Sequence, residues 1–146
     1  MKTLKIFMAL VSTLFLASFV YAGQIQIPAK YDLSKQLEEV HGFWKTRIID
    51  WEAVDNQSLV IETSPGSYYL LVLTIPSYEL PFKMNRIGIT SSGSMIREGI
   101  DNVTVSGAGH FREIYPIDRI YKIQGSKEMR AVINQLQGQK DESHTY

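Results

Sequence analysis

The sequence contains no cysteine among its 146 residues, so it offers no disulfide framework, no cysteine metal site and no thiol nucleophile. Histidine is also scarce, and His41, His110 and His144 share no helical or strand spacing that would suit a metal. No serine has the Gly-x-Ser-x-Gly setting of a nucleophile elbow, and "SGAGHF" lacks the lysine and the third glycine of phosphate-binding loops. The sequence therefore predicts no catalytic set, no metal and no cofactor.

The balance of acidic and basic residues does not favour binding to polyanions. Lysine and arginine together number 15, as do aspartate and glutamate, so the formal net charge at pH 7 is zero. A protein that binds nucleic acid or an anionic membrane surface normally carries a basic excess. The sequence therefore predicts neither kind of partner.

Residues 1–22 have the pattern of a secretory signal peptide. Lys2 and Lys5 give a positive start, an apolar stretch follows over residues 6–20, and small residues stand at the positions that a signal peptidase reads before Gly23. The alternative is an uncleaved membrane anchor, but the stretch is short for a span of about 20 residues. We therefore expect cleavage after Ala22 and export to the periplasm or the cell exterior, with no stable membrane span in the mature chain.

The stretch "SLVIETSPGSYYLLVL", residues 58–73, predicts a hairpin at the centre of a sheet. Pro65 and Gly66 suit the central positions of a type II turn, because proline fixes φ at about −65° and glycine accepts positive φ. Apolar residues are nearly continuous on both flanks, over 59–61 and 68–73. Such runs indicate burial on both faces of a sheet, and hence central strands of a sandwich or small barrel.

The rest of the pattern completes a mainly β fold of the β-rich α+β type, with about six antiparallel strands in a small barrel or sandwich. Further strands are expected between Phe43 and Val54, over 86–90, over 102–105 and over 112–123, the last bent at Pro116 because proline donates no ladder hydrogen bond.

Two helices flank the predicted strands. A short N-terminal helix is expected from Asp32 to Val40, where apolar residues recur at i, i+4 and i+7. An amphipathic C-terminal helix is expected from Ser126 to Gly138. The predicted organisation is a signal peptide over 1–22, a leader and short helix over 23–42, one β-rich domain with its C-terminal helix over 43–138, and a disordered tail over 139–146.

Four segments resemble, in order and spacing, a family of small exported bacterial domains of unknown function. They are "RIIDWEAVDNQSLVIETSPGSYYLLVL", "IGITSSG", "GIDNVTV" and "REIYPIDRI", and the likeness covers about Phe43 to Ile123. The resemblance implies no established activity, cofactor or catalytic residue. It also implies cysteines in many members at or near Gly42, Ser77, Arg97 and Arg112, and this chain has none of them.

Asp50 and Glu52 are the carboxylates that come nearest to a catalytic pair. At i and i+2 of a strand they share one face, about 7 Å apart along the backbone. Inverting glycosidases separate their two carboxyls by a similar distance to leave room for water. An exposed strand face with Trp51 turned inward explains the same alternation without catalysis.

Two functions from different classes follow. The first is a non-catalytic envelope protein that binds another protein, a glycan or a small apolar ligand. Its expected contact residues are Tyr78 and Phe82 in the loop between Pro76 and Lys83, with His110 and Arg112 at the turn before the last strand, because loops on a rigid β scaffold commonly carry recognition. The second is a small hydrolase of envelope polymers that uses Asp50 and Glu52. Against the first, Tyr78 and Phe82 would serve only packing if they fold back as a lid over the barrel end.

Overall fold

A computed structural model describes residues 25–82, 85–107 and 112–138 of the chain. The elements, in chain order, are a 3₁₀ turn (Ala29–Tyr31), nine strands and one helix. The strands are β1 (Glu38–Glu39), β2 (Gly42–Trp44), β3 (Asp50–Ala53), β4 (Ser58–Ser64), β5 (Ser67–Leu73), β6 (Arg86–Thr90), β7 (Met95–Arg97), β8 (Asn102–Ser106) and β9 (Arg112–Gln124), and the helix is α1 (Gly125–Gly138).

Six of the strands form one curled antiparallel sheet, a half-barrel with the order β3-β4-β5-β9-β8-β6. The short strand β1 pairs with β9 beside this path, and β2 pairs with β7 in a separate two-stranded ribbon. The predicted β-rich α+β class, with about six antiparallel strands and a C-terminal helix, is confirmed. The sequence left open whether the strands form a barrel or a sandwich, and the structure shows a half-barrel.

The predicted central hairpin is the β4–β5 pair, and its side chains alternate between two cores. Leu59, Ile61 and Leu71 point into one core, here called the inner core. Val60 and Leu70 point to the opposite face, into the outer core beneath α1. Because both faces are covered, the apolar run needs no polar alternation, as the sequence predicted.

Pro116 marks the point where β9 changes partners. Residues 112–116 pair with β8, and residues 117–124 pair with β5. The register slips where Leu73 meets Ile117, and the Pro116 carbonyl accepts a hydrogen bond from the Thr74 N–H at 2.9 Å. A residue without an N–H fits a place where one ladder ends and another begins.

Helix α1 closes the outer core. Val132, Ile133 and Leu136 are buried against the sheet, with Met129 partly buried beside them. The Glu128 carboxylate accepts a hydrogen bond from the Gln124 N–H at 2.5 Å, which satisfies a free donor at the start of the helix. The predicted amphipathic helix ending at Gly138 is confirmed.

The N-terminal helix predicted over Asp32 to Val40 is wrong. The chain makes the 3₁₀ turn before it, then a single turn closed by the Leu37 N–H on the Leu33 carbonyl, and continues as β1. Glu38 and Glu39 pair with β9, and the Val40 N–H donates to the Ile120 carbonyl at 2.9 Å. Backbone pairing with a long neighbouring strand therefore overrides the local helical spacing.

Several sequence predictions lie outside the described residues. These are the signal peptide, the turn with His110 before the last strand, and the tail over 139–146.

Gly66 provides a direct test of the hairpin turn. Its φ is 79°, and a Cβ built on it would meet nothing within 4 Å, so a substitution would cost backbone strain and no clash. We expect Gly66→Val to lower the free energy of unfolding by about 1–3 kcal/mol, measured by urea denaturation. Gly93→Val is the matched control, because Gly93 also has open space but no positive φ. Equal losses in the two variants would mean that the turn does not require the left-handed conformation.

Candidate functional site

The loop from Pro76 to Phe82, here called the aromatic loop, is tied to the body of the domain by one backbone hydrogen bond and is braced by two hydrogen bonds within itself. The Ser77 N–H donates to the Asn56 carbonyl at 2.6 Å, and the Ser77 hydroxyl accepts from the Leu80 N–H at 3.1 Å. The Phe82 N–H donates to the Glu79 carbonyl at 3.1 Å. These bonds order the backbone of the loop.

The aromatic loop buries its centre and presents its two rings to solvent. Leu80 is 0% exposed and packs into the inner core, and Ser77 is 0% exposed. Tyr78 is 84% exposed and Phe82 is 60% exposed. The alternative in which these two aromatics fold back as a lid is therefore wrong, because Leu80 occupies the interior position instead.

The remaining predicted contact residues lie at the same end of the domain or outside the described residues. Arg112 is exposed at the start of β9, opposite Ser106, and its guanidinium lies 3.4 Å from the Thr104 hydroxyl. The Glu79 carboxylate of the aromatic loop lies 3.0 Å from where a Cβ on Gly107 would stand, so the loop reaches the end of β8. His110 is not among the residues described.

Asp50 and Glu52 lie on the exposed face of β3, with Trp51 partly buried against the inner core between them. They stand opposite Glu62 and Val60 of β4. The predicted alternation of two solvated charges around an inward aromatic is confirmed.

A cleft of about 760 Å³ runs along β3. It is lined by all six residues from Asp50 to Asp55, with Leu80 and Pro81 on one side and Gln137 of α1 on the other. Side chains of successive residues in a strand point to opposite faces of the sheet. A single cleft can therefore border all of these residues only if the cleft runs along the edge of the strand. The cleft therefore joins the edge of β3 to the aromatic loop.

Comparison with known proteins assigns a family without an activity. A family model described as a family of unknown function, DUF6491, matches residues 2–140. The chain belongs to the DUF6491 family. The resemblance to a family of unknown function is thereby confirmed and extends well beyond residues 43–123. No match was found among curated proteins or among solved structures.

Two of the positions where the resemblance implies cysteines face each other in this DUF6491 chain. Gly42 of β2 and Arg97 of β7 are Cα partners across the two-stranded ribbon. A Cβ on Gly42 would lie 2.5 Å from the Ile96 carbonyl oxygen. The ribbon of this member is therefore built around a glycine, and a cysteine there would require the backbone to shift.

Asp55 is a buried carboxylate in the turn between β3 and β4. It is 5% exposed, and its Oδ2 atom lies 2.7 Å from the Lys30 ammonium and accepts a hydrogen bond from the Tyr31 hydroxyl at 2.8 Å. Its Oδ1 atom accepts from the Gln57 N–H and the Ser58 hydroxyl, each at 2.9 Å. The carboxylate ties the N-terminal segment to the turn between β3 and β4, at one end of the cleft.

The pKa of Asp55 predicts an acid-sensitive part of the stability. Burial, the largest single influence, raises this pKa, but the four hydrogen bonds outweigh it and hold the pKa below its usual value. A carboxylate with a lowered pKa stabilises the fold above the unfolded-state pKa of about 3.9, and this stabilisation is lost as the pH falls through the folded-state pKa.

We therefore expect the unfolding free energies of the wild type and of the non-titrating variant Asp55→Asn to converge below about pH 4. Urea denaturation at a series of pH values measures both. A difference that stays constant down to low pH would contradict the assignment.

Other kinds of site receive no support from the described parts of the chain. Within residues 25–82, 85–107 and 112–138, no three histidine, aspartate or glutamate side chains come together as a metal site. In the same ranges, no helix is both long enough and apolar enough to cross a membrane.

Proposed function

We propose that this DUF6491 chain is a non-catalytic binding protein that contacts its partner through the aromatic loop. One observation carries the proposal: two large aromatic side chains, Tyr78 and Phe82, stand in solvent on a loop that is anchored by the buried Leu80. Exposing such rings costs free energy in the isolated protein. Aromatic residues on a preordered loop are favoured contact residues, because little conformational entropy is lost on binding.

A protein surface fits this arrangement better than a small apolar ligand. A small ligand needs a concave apolar pocket that encloses most of its surface. The inner core of the half-barrel is filled by its own side chains, including Leu59, Leu71, Leu80 and Ile120. The exposed rings project outward, as side chains do that insert into a partner. A glycan, which would stack on the same rings, is a distinguishable outcome of the test.

The test is retention of a partner from an envelope extract by immobilised chain beginning at Gly23, with mass spectrometry of the retained material. We expect the wild type to retain a protein that the double variant Tyr78→Ala/Phe82→Ala loses, with matching melting temperatures. The matched control is Trp44→Ala, which removes another exposed aromatic side chain, on the β2–β7 ribbon. Retention that survives the double variant, or retention of a glycan alone, would overturn the proposal as stated.

Export belongs to the same proposal. The lysine-bearing start, the apolar stretch and the small residues before Gly23 support a cleaved signal and a periplasmic or extracellular location. N-terminal sequencing of the protein recovered from the envelope fraction is expected to begin at Gly23. A chain that begins at Met1 and stays in the cytoplasm would contradict both parts.

A small hydrolase using Asp50 and Glu52 is the alternative, and its support is that both carboxylates border the β3 cleft. The exposure of both side chains weighs against it. Release of soluble fragments from envelope polymers by the wild type, abolished in both Asp50→Asn and Glu52→Gln, would establish the alternative in place of the binding protein.

A further inference from the structure

Strand β3 is an edge strand whose outer side carries backbone groups available for pairing. The Val54 N–H donates to the Ser58 carbonyl at 2.9 Å, so the pairs Glu52–Val60 and Asp50–Glu62 exchange the ladder hydrogen bonds with β4. The residues between them turn their backbone groups away from β4. The sheet order places no described strand on that side.

The outward groups belong to Trp51 and Ala53. The Trp51 N–H is satisfied by its neighbour, since it donates to Asp50 Oδ1 at 2.8 Å. The Trp51 carbonyl and both backbone groups of Ala53 have no partner among the residues that the structure describes. An edge of this kind is a template for an added strand.

The cleft described above lies along these groups and provides walls for alternate side chains. A four-residue strand is about 13 Å long. On one face of β3, the exposed Pro81 offers apolar contact beside the partly exposed Trp51 and Ala53. On the other face stand the carboxylates of Asp50 and Glu52. An incoming strand therefore meets an apolar wall on one face and negative charge on the other.

The carboxylates along the cleft argue against a second copy of this chain as the added strand. No lysine or arginine is among the described residues that line the cleft, and its third carboxylate, Asp55, is already bound by Lys30. A second copy of this chain, paired so that Trp51 and Ala53 are both engaged, would set the two Glu52 carboxylates opposite each other. Like charges directly across a strand pair are destabilising, whereas opposite charges attract.

We propose that the β3 edge accepts an extended segment of a partner protein as an additional antiparallel strand, with lysine or arginine at alternate positions facing Asp50 and Glu52 and apolar residues between them. This inference rests on the proposed binding function and specifies the chemical class of the partner segment. The aromatic loop borders the same cleft through Leu80 and Pro81, so one partner can contact both.

The test titrates the chain with two capped peptides of equal length, Val-Lys-Val-Lys-Val and Val-Glu-Val-Glu-Val, and follows the backbone amides by NMR. We expect only the lysine peptide to bind, and to slow hydrogen exchange of the Ala53 amide in the complex. Each of Glu52→Gln and Asp50→Asn is expected to weaken binding by up to about 5-fold, the range of a cross-strand charge pair. Asp50→Asn keeps an oxygen to accept the Trp51 N–H.

Ala53→Pro is the backbone variant. It removes an outward N–H and leaves the ladder with β4 intact, as is usual for proline on an edge strand. We expect it to weaken binding by at least about 5-fold, because one hydrogen bond is lost and the ring blocks approach. The exchange of the Ala53 amide in the wild type provides the same information should this variant fold poorly.

Three results would overturn the inference: equal binding of the two peptides, no binding of either, or binding without protection of Ala53. A chain dimer that Ala53→Pro dissociates would also overturn it, in favour of self-pairing. None of these results depends on Tyr78 or Phe82. The pull-down with their double variant therefore judges the proposed function separately.

Discussion

Replacing Asp55 with alanine is expected to lower the free energy of unfolding by about 3–5 kcal/mol, because the change strands several buried donors and leaves the partly buried Lys30 ammonium without its partner. The variant leaves the Tyr31 and Ser58 hydroxyls and the Gln57 N–H buried without their acceptor. Each stranded donor carries a desolvation penalty of about 1–3 kcal/mol, and these penalties overlap because the groups share one site. Urea denaturation monitored by tryptophan fluorescence measures the loss.

The control for Asp55→Ala is Asp50→Asn, a change at an exposed carboxylate five residues away. We expect this control to change stability by no more than about 0.5 kcal/mol. Tyr31→Phe should fall between the two, because it removes a single donor to the same carboxylate. A loss below about 1 kcal/mol for Asp55→Ala would show that water replaces the carboxylate and that the four contacts do not hold the N-terminal segment.

Truncation of Leu80 to alanine is expected to cost about 2–5 kcal/mol, the range for a fully buried leucine. Leu80 is the only side chain of the aromatic loop that reaches the inner core among those described, so its loss should also loosen the segment that carries Tyr78 and Phe82. Thermal melts give the stability. Faster amide exchange over residues 76–82, with α1 unchanged, would identify the loosening as local.

Tyr78→Ala is the matched control for Leu80→Ala, two residues away on the same loop. Because the Tyr78 ring is 84% exposed, its removal should leave the melting temperature nearly unchanged. If Tyr78→Ala destabilised the domain as much as Leu80→Ala, the ring would be a packing residue. The proposal that the aromatic loop is a contact surface would then be wrong.

The central hairpin and the last strand were predictable because their signals are local. Pro65-Gly66 fixes a turn, and the apolar runs beside it require two covered faces, which the inner core and α1 supply. The helical stripe that ends at Leu136 follows the same logic. In each case the residues that carry the signal are close in sequence and pack against a common layer.

The short helix predicted over Asp32 to Val40 failed because its three apolar residues serve two different cores. Leu33 and Leu37 enter the outer core, whereas Val40 packs against the inner core. A helix would place all three side chains on one face. A chain that continues as a strand instead directs its side chains to alternate faces of the sheet. The pairing of β1 with β9, which forms in place of the predicted helix, joins residues about 80 positions apart in the sequence.

The candidate site was predictable only in part, for the same reason. Two prolines around two aromatics left open whether the rings are exposed or fold back as a lid, whereas alternating charges around Trp51 predicted the solvated face of β3. That Leu80 anchors the loop, that Lys30 neutralises Asp55, and that β3 lies at an edge beside the loop all follow from contacts between distant segments. No local pattern encodes such contacts.

Hydrogen–deuterium exchange, measured along the chain free and in complex with the retained partner, tests the location of the binding surface most directly. We expect slower exchange in residues 50–53 and 76–82 of the complex, with α1 and the β4–β5 hairpin unchanged. Protection confined to α1 or to the β2–β7 ribbon, with residues 76–82 exchanging as in the free chain, would contradict this location.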